Sequence, residues 1–223
     1  MLTKLSESAT IQLPKHIISL FSLSAGDELL CDTDGTAIRI IPKELNPKLR
    51  IDCFGQLTFG YAGKYLYASN KKACELLALL LMERGKPIRK QRLAETLWQD
   101  AEPENALDSI YKAVRCLQAL GKREGFIMPV RADSGFMWLD MERVESDVIE
   151  FERLYASGRF ADYEAAVELY RAPFLSKEFY EWLEQWQAFY DIRYMNMINA
   201  LIESYRESNP NMARYYQSIQ YKV

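Results

Sequence analysis

The stretch Glu104-Asn105-Ala106-Leu107-Asp108-Ser109-Ile110-Tyr111-Lys112-Ala113-Val114-Arg115-Cys116-Leu117-Gln118-Ala119-Leu120-Gly121-Lys122-Arg123 decides how the rest of the chain is read. Leu107, Ile110, Val114 and Leu117 recur at steps of three and four, the spacing that gathers side chains on one face of an α-helix. The periodicity predicts a helix over 104–123 with that stripe against a core. At roughly 100° per residue the opposite side carries Asn105, Asp108, Lys112, Arg115, Ala119 and Lys122, with Ser109 and Tyr111 on its shoulders. No acidic residue occurs from Ser109 to Arg123. Gly121 stands where a left-handed residue commonly ends a helix, and Lys122 and Arg123 follow where cations complement its carbonyl end. Two readings compete for the cationic face. One is a solvated exterior, the usual place of Lys and Arg. The other is a recognition helix, narrow enough for the major groove of DNA. The surrounding sequence chooses between them.

The chain has 223 residues, 49% hydrophobic and 26% charged, an ordinary globular mixture sized for one large domain or two to three small ones. No apolar run reaches the length of a membrane span, and residues 1–13 are mixed polar, so a cytoplasmic protein with no membrane partner is expected. Cys31, Cys53, Cys74 and Cys116 are far apart and His16 is the single histidine, which suggests neither a zinc site nor a disulfide framework. The cysteines read as small buried hydrophobes and His16 as a surface residue. With one histidine and no Walker A, GxGxxG or GxSxG pattern, no enzyme and no cofactor are expected. The net charge is −3, divided unevenly. Residues 1–50 hold 6 basic and 6 acidic side chains, 51–145 hold 14 and 13, and 146–223 hold 8 and 12. The middle is the least acidic third, although clustering matters more than totals for phosphate binding.

In the first fifty residues, Thr10 to Leu13 alternates like a strand ending at Pro14-Lys15, and a brief apolar segment leads to a turn near Gly26-Asp27. Residues 29–32 and 37–41 then predict two strands around Asp34-Gly35, a strong hairpin signal. About forty residues bury a poor core alone, so the piece is expected to oligomerise. It resembles the AbrB-like swapped-hairpin barrel family of transition-state regulators and addiction-module antitoxins, in Gln12-Leu13-Pro14-Lys15, Leu23…Gly26-Asp27 and the hairpin. The resemblance implies an interlocked homodimer.

Pro42 and Glu44 to Lys48 read as a boundary. Beyond it, 49–61 looks extended, with a Gly63-Lys64 turn and Tyr65-Leu66-Tyr67 returning. Asn70 to Glu75 opens a helix whose leucine run should be buried and which stops at Gly85. Arg89 to Gln99 is a second helix, with Leu93, Leu97 and Trp98 inward. After the helix at 104–123, residues 126–130 and 135–139 predict a hairpin with Arg131-Ala132-Asp133-Ser134 at its tip.

Strands, three helices and a hairpin make a winged helix. The residues resemble the DNA-binding domain of bacterial antibiotic regulatory activators and of response-regulator output domains. The match lies in Lys72-Ala73-Cys74-Glu75-Leu76-Leu77-Ala78, Pro87 to Leu93 with Leu97-Trp98, Asn105-Ala106-Leu107…Leu120-Gly121, and Ser134-Gly135-Phe136. The resemblance implies that 104–121 enters the major groove while the hairpin near Arg131 touches the adjacent backbone or minor groove. Lys112 and Arg115 are the candidate base or phosphate readers, since long cations suit guanine edges and phosphates. Lys122 extends the same face. Tyr111, Ser109 and Asn105 are candidate backbone contacts, and Lys71, Lys72 and Arg131 candidate phosphate clamps. Where the family carries Arg-Leu-Arg, this chain has Arg115-Cys116-Leu117, and one cation fewer predicts weaker, less salt-sensitive binding or reliance on dimer avidity.

From Glu145 onward the sequence predicts helices at 147–155, 161–170, 177–207 and 211–221, the third with a wide apolar face running from Phe179 through Trp186 to Tyr205. This part resembles the bacterial transcriptional activation domain of the same regulators, a tetratricopeptide-like array, in Asp147…Phe151-Glu152…Leu154, Tyr170 to Leu175 and Trp182…Arg193. It implies a protein partner, RNA polymerase or another protein, on the C-terminal helices.

The fold class expected is mainly α with small β elements. Residues 1–46 form a swapped-hairpin dimerisation domain, 47–143 a winged helix-turn-helix domain and 144–223 a tetratricopeptide-like helical domain. The function expected is a homodimeric regulator binding double-stranded DNA sequence-specifically. The alternative is a protein-interaction adaptor that keeps the fold with little DNA affinity, a choice that salt-dependent duplex titration decides.

Overall fold

A computed structural model describes residues 13–21, 23–25, 29–33, 38–42 and 47–220. The chain divides into two compact units, Met1–Pro47 and Lys48–Val223.

The first unit holds a short helix, α1 (Lys15–Leu20), and two strands, β1 (Leu29–Thr33) and β2 (Ile38–Pro42), paired antiparallel with Cys31 opposite Ile40. The strand expected at 10–12 and the turns at 26–27 and 34–36 lie outside the described residues, as does the linker at 44–46. Among the described residues no barrel closes, so the swapped-hairpin barrel is not supported. Among the described residues β1 and β2 pair only with each other, and closure of a barrel requires further strands. Leu13, Ile17, Leu23, Leu29 and Ile40 are only half-buried here, and Ile18 and Phe21 are exposed.

The second unit opens with a meander, β3 (Leu49–Asp52), β4 (Thr58–Tyr61) and β5 (Lys64–Leu66). Leu49, Ile51, Phe59 and Leu66 point into the core. A strand that periodicity did not reveal, β9 (Val144–Ser146), lies parallel to β3 and completes the order β5-β4-β3-β9. The helical reading from Glu145 is therefore corrected: Val144 and Ser146 are buried with Glu145 outward, a three-residue alternation too short to register as a strand signal.

Three helices follow the meander and pack on one another. In α2 (Lys71–Met82) every residue from Ala73 to Met82 is buried, and the Asn70 side chain caps its start by accepting the Ala73 N–H at 2.9 Å. The helix ends where Arg84 and Gly85 both adopt left-handed φ, 52° and 77°. The second helix, α3 (Lys90–Leu97), starts one residue later than expected because Ile88–Arg89 pairs as a strand, β6, before it, and stops two residues sooner because Trp98 leaves the helical region at φ −137° and ψ 57°. The third, α4, runs from Pro103 to Glu124 and passes through Gly121, ending instead at left-handed Gly125. Gly121 serves packing: a Cβ there would lie 2.8 Å from the Phe126 carbonyl oxygen and 3.1 Å from the Met128 nitrogen. The buried stripe is Ala106, Ile110, Ala113, Leu117 and Leu120, while Leu107 and Val114 are half-buried beside it, because the two alanines let α2 and α3 approach closely.

The hairpin is β7 (Val130–Asp133) and β8 (Phe136–Leu139), in the order β6-β8-β7. Its turn is the pair Ser134-Gly135, both at positive φ (41° and 88°), as a two-residue hairpin turn demands. Arg131 therefore lies within a strand, opposite Trp138, and not at the tip.

Four helices follow: α5 (Asp147–Ser157), α6 (Phe160–Leu169), α7 (Glu184–Ser208) and α8 (Pro210–Ile219). Residues 177–183 are irregular, contrary to the long helix expected, because the chain before them is pinned to the end of β3. Phe174 bridges Phe54, and the Leu175 N–H donates to the Cys53 carbonyl at 2.7 Å. Phe179 consequently faces solvent, 99% exposed, outside the apolar stripe assigned to it. Asp147 joins the same region: its buried carboxylate accepts the N–H groups of Cys53 and Phe54 at 2.8–2.9 Å and its neighbour Val148 at 2.8 Å.

Candidate nucleic-acid interface

The 22 residues of α4 make a rod about 33 Å long. Asn105, Lys112, Arg115 and Lys122 are exposed on the side away from the core, with Asp108 and Ala119 among them. Among the described residues Lys112, Arg115 and Lys122 make no ion pair. Glu104 and Asp108 keep the first turns acidic, so the positive charge belongs to the half from Lys112 to Lys122. Ser109 is half-buried and donates its hydroxyl to the Asn105 carbonyl at 2.8 Å, which leaves only lone pairs for a ligand. Leu117, in the place matched to the resembled family's second arginine, is buried and serves the core.

Two walls flank the rod. On one side, Asn70 Nδ2 lies 3.5 Å from Cys116 Sγ, which places the first turn of α2, with exposed Lys71, beside the middle of α4. On the other, Lys90 Nζ sits 5.2 Å from the centre of the Tyr111 ring, and the Lys90 N–H donates to the Gly135 carbonyl at the hairpin turn, 2.9 Å away. Arg89 pairs with Phe136 and carries its guanidinium 5.8 Å from that ring. Such contacts hold cations over aromatic faces while leaving their outer edges available. Arg89 and Lys90 are thus brought to the site although no role was assigned to them from sequence. The run Arg89-Lys90-Gln91-Arg92, three cations in four residues at a helix start, was the signal.

Two candidate clamps are engaged elsewhere. Lys72 Nζ binds Glu75 at 2.8 Å and the Leu97 carbonyl at 2.7 Å, which turns it toward the end of α3. Arg131 pairs with Asp140 at 3.1 Å across the hairpin. Asn105, Tyr111, Lys112, Arg115 and Lys122 share α4, Lys71 adjoins them, and Lys72 and Arg131 do not present free charge to that face.

Cys53 and Cys74 are buried, and loss of solvent pushes both thiols up, Cys74 to about 11. Cys116 is exposed, against the expectation of burial, because it falls outside the buried stripe of α4 that Ala113, Leu117 and Leu120 form; the Cys31 side chain is outside what is described. Among the described residues no group of three or more His, Cys, Asp or Glu is placed to hold a metal ion. No helix among them is long and apolar enough to cross a membrane.

No family model matches the chain, and no curated protein matches it. Among solved structures the chain is similar to Mycobacterium tuberculosis EmbR, determined in complex with a low affinity phosphopeptide, with a TM-score of 0.55 and 19% identity. The likeness covers 77% of this chain and 56% of that one, so this chain spans little more than half of the other's length. At that identity the likeness is one of fold, and it supports a mainly helical protein with small sheets.

Proposed function

We propose that the protein is a sequence-specific DNA-binding transcriptional regulator that reads the major groove with α4. The observation that carries this reading is the row of Lys112, Arg115 and Lys122, exposed and without an ion-pair partner among the described residues, on a helix whose other side is fixed in the core. Arg115 and Lys112 contact base edges or phosphates; Lys71 on one wall, and Arg89 and Lys90 on the other, grip the strands bounding the groove. Functionally the chain divides into 1–46 for dimerisation, 47–143 for reading and 144–223 for protein contact. Dimerisation is supported by the exposed Ile18 and Phe21 and the half-buried apolar residues of the first unit, which a second copy would cover. Titration of labelled duplex across a salt series tests the reading. A steep negative slope that Lys112→Ala with Arg115→Ala flattens supports it, and no salt-dependent binding by the intact chain overturns it. Light scattering tests the dimer separately, and a monomeric mass refutes that part.

A further inference from the structure

The C-terminal helices carry a side-chain arrangement that DNA reading does not use. Arg193 on α7 sits over Phe189, its guanidinium carbon 3.3 Å from the ring centre and 5.3 Å from the centre of the Tyr155 ring of α5. Its Nη1 donates to the Phe189 carbonyl at 3.1 Å. The aromatic surface continues from Tyr155 to Tyr163 and from Tyr163 to Phe160, each step 6.2 Å between ring centres. Phe160 and Ile192 are more than half exposed at its margins. Ile192 shares the Phe189–Arg193 side of α7 by helical spacing.

Charge selects the occupant. Several carboxylates of these helices are already engaged: Glu150 with Arg153, Asp162 with Arg159, Glu152 with Arg84, and Asp191 with the Tyr170 hydroxyl. Arg193 has no acidic partner among the described residues. Its guanidinium is held over the Phe189 ring and on the Phe189 carbonyl, so little freedom remains to be lost when a carboxylate binds. Arginine and aromatic side chains of this kind dominate binding energy where protein surfaces meet.

We propose that this face docks an acidic peptide segment of a partner protein, one carboxylate forked on Arg193 and a neighbouring apolar side chain resting on Ile192. A second copy of the chain is a poor occupant, since a two-fold contact centred here brings Arg193 toward its own equivalent. The proposal deepens the protein-facing role assigned to residues 144–223. It is read with peptides and not with duplex DNA, so its failure is distinct from failure of the DNA reading.

The test uses the full chain against arrayed peptides in which Asp or Glu is spaced variously from Leu, Phe or Trp, beside the same array with Lys replacing the acids. Fluorescence anisotropy on the strongest binders should show preference for the acidic set and weakening by salt. Arg193→Gln should cost at least about tenfold in affinity, the value of one charge-assisted fork. Ile192→Ser, at an exposed position, should cost several-fold while the thermal transition stays in place, which keeps the test decisive if Arg193→Gln disturbs folding. Equal binding of both arrays, no binding, or affinity indifferent to both variants overturns the proposal. So does a fall in molecular mass of the Ile192→Ser protein by light scattering, which would assign the face to a second copy, or loss of duplex binding in place of peptide binding.

Discussion

Arg84 and Glu152 form a two-point ion pair that ties the end of α2 to α5. Arg84 Nε reaches Oε2 at 3.2 Å and Nη2 meets Oε1. Tyr190 of α7 completes the group, accepting from Arg84 at 2.8 Å and donating to Glu152 at 2.6 Å. The same guanidinium donates to the Leu81 carbonyl, helping to end the helix above left-handed Arg84.

Removing one side of this group leaves the other charged and largely out of water. Glu152→Ala should destabilise the protein by about 2 kcal/mol in urea unfolding, the scale of a charge-assisted hydrogen bond discounted for partial exposure. An unchanged midpoint would show that solvent replaces the carboxylate without loss.

Glycines in one helix and at its end should respond differently. Gly121→Ala forces a Cβ onto the Phe126 and Met128 backbone and should cost about 2 kcal/mol or more, outweighing the ~1 kcal/mol that alanine gains in a helix interior. Gly125→Ala meets no atom within 4 Å but must hold φ of 83°, a cost of about 1 kcal/mol. Thermal unfolding of the two variants checks the order; a reversal means the strand after α4 shifts freely.

Burial lifts the Asp147 carboxyl from the usual carboxylate range to about 6, against the pull of the Phe54, Cys53 and Val148 N–H groups. Between about pH 4 and that value the folded chain keeps a proton that the unfolded chain has released. Its favourable contribution is therefore complete at low pH and lost as pH rises through about 6. Compared with Asp147→Asn, the wild type should lose up to about 3 kcal/mol of relative stability from about pH 4 to pH 7. A stability difference independent of pH would refute the shift.

The engaged and unengaged cations predict different DNA phenotypes. Lys112→Ala, Arg89→Ala and Lys90→Ala should each reduce the salt slope of duplex binding by about one where the side chain meets a phosphate. Arg131→Ala should leave the slope unchanged, because Asp140 already holds that charge. Equal effects at Arg131 and Lys112 would mean the ion pair opens on DNA.

The long helix α4 was legible because three- and four-residue steps persist across it, and its exposed cations follow from that spacing alone. Its end was not, since a glycine chosen for close packing at 121 reads like one chosen for positive φ, and only the neighbouring Phe126–Met128 backbone distinguishes them. The turn at Ser134-Gly135 was displaced for a related reason: a serine at positive φ carries no sequence mark. Arg89 and Lys90 escaped notice because their place beside Tyr111 and Phe136 depends on β6 pairing with β8, a contact between distant residues. β9 and the irregular run before Glu184 are likewise set by tertiary partners, β3 in one case and the Cys53–Phe54 end of it in the other.

The parallel seat of Val144–Ser146 against Leu49–Ile51 also bears on biosynthesis. Cys53 waits for Asp147, 94 positions later, before its amide finds a partner, and β3 stays an open edge until then. A chain emerging from the ribosome can wind α2, α3 and α4 early, yet the sheet of β3, β4 and β5 is completed only once β9 and the first residue of α5 have left the exit tunnel. A fragment cut just ahead of Val144 would therefore carry α2, α3 and α4 with an unfinished sheet, prone to pair its bare strand with another molecule's.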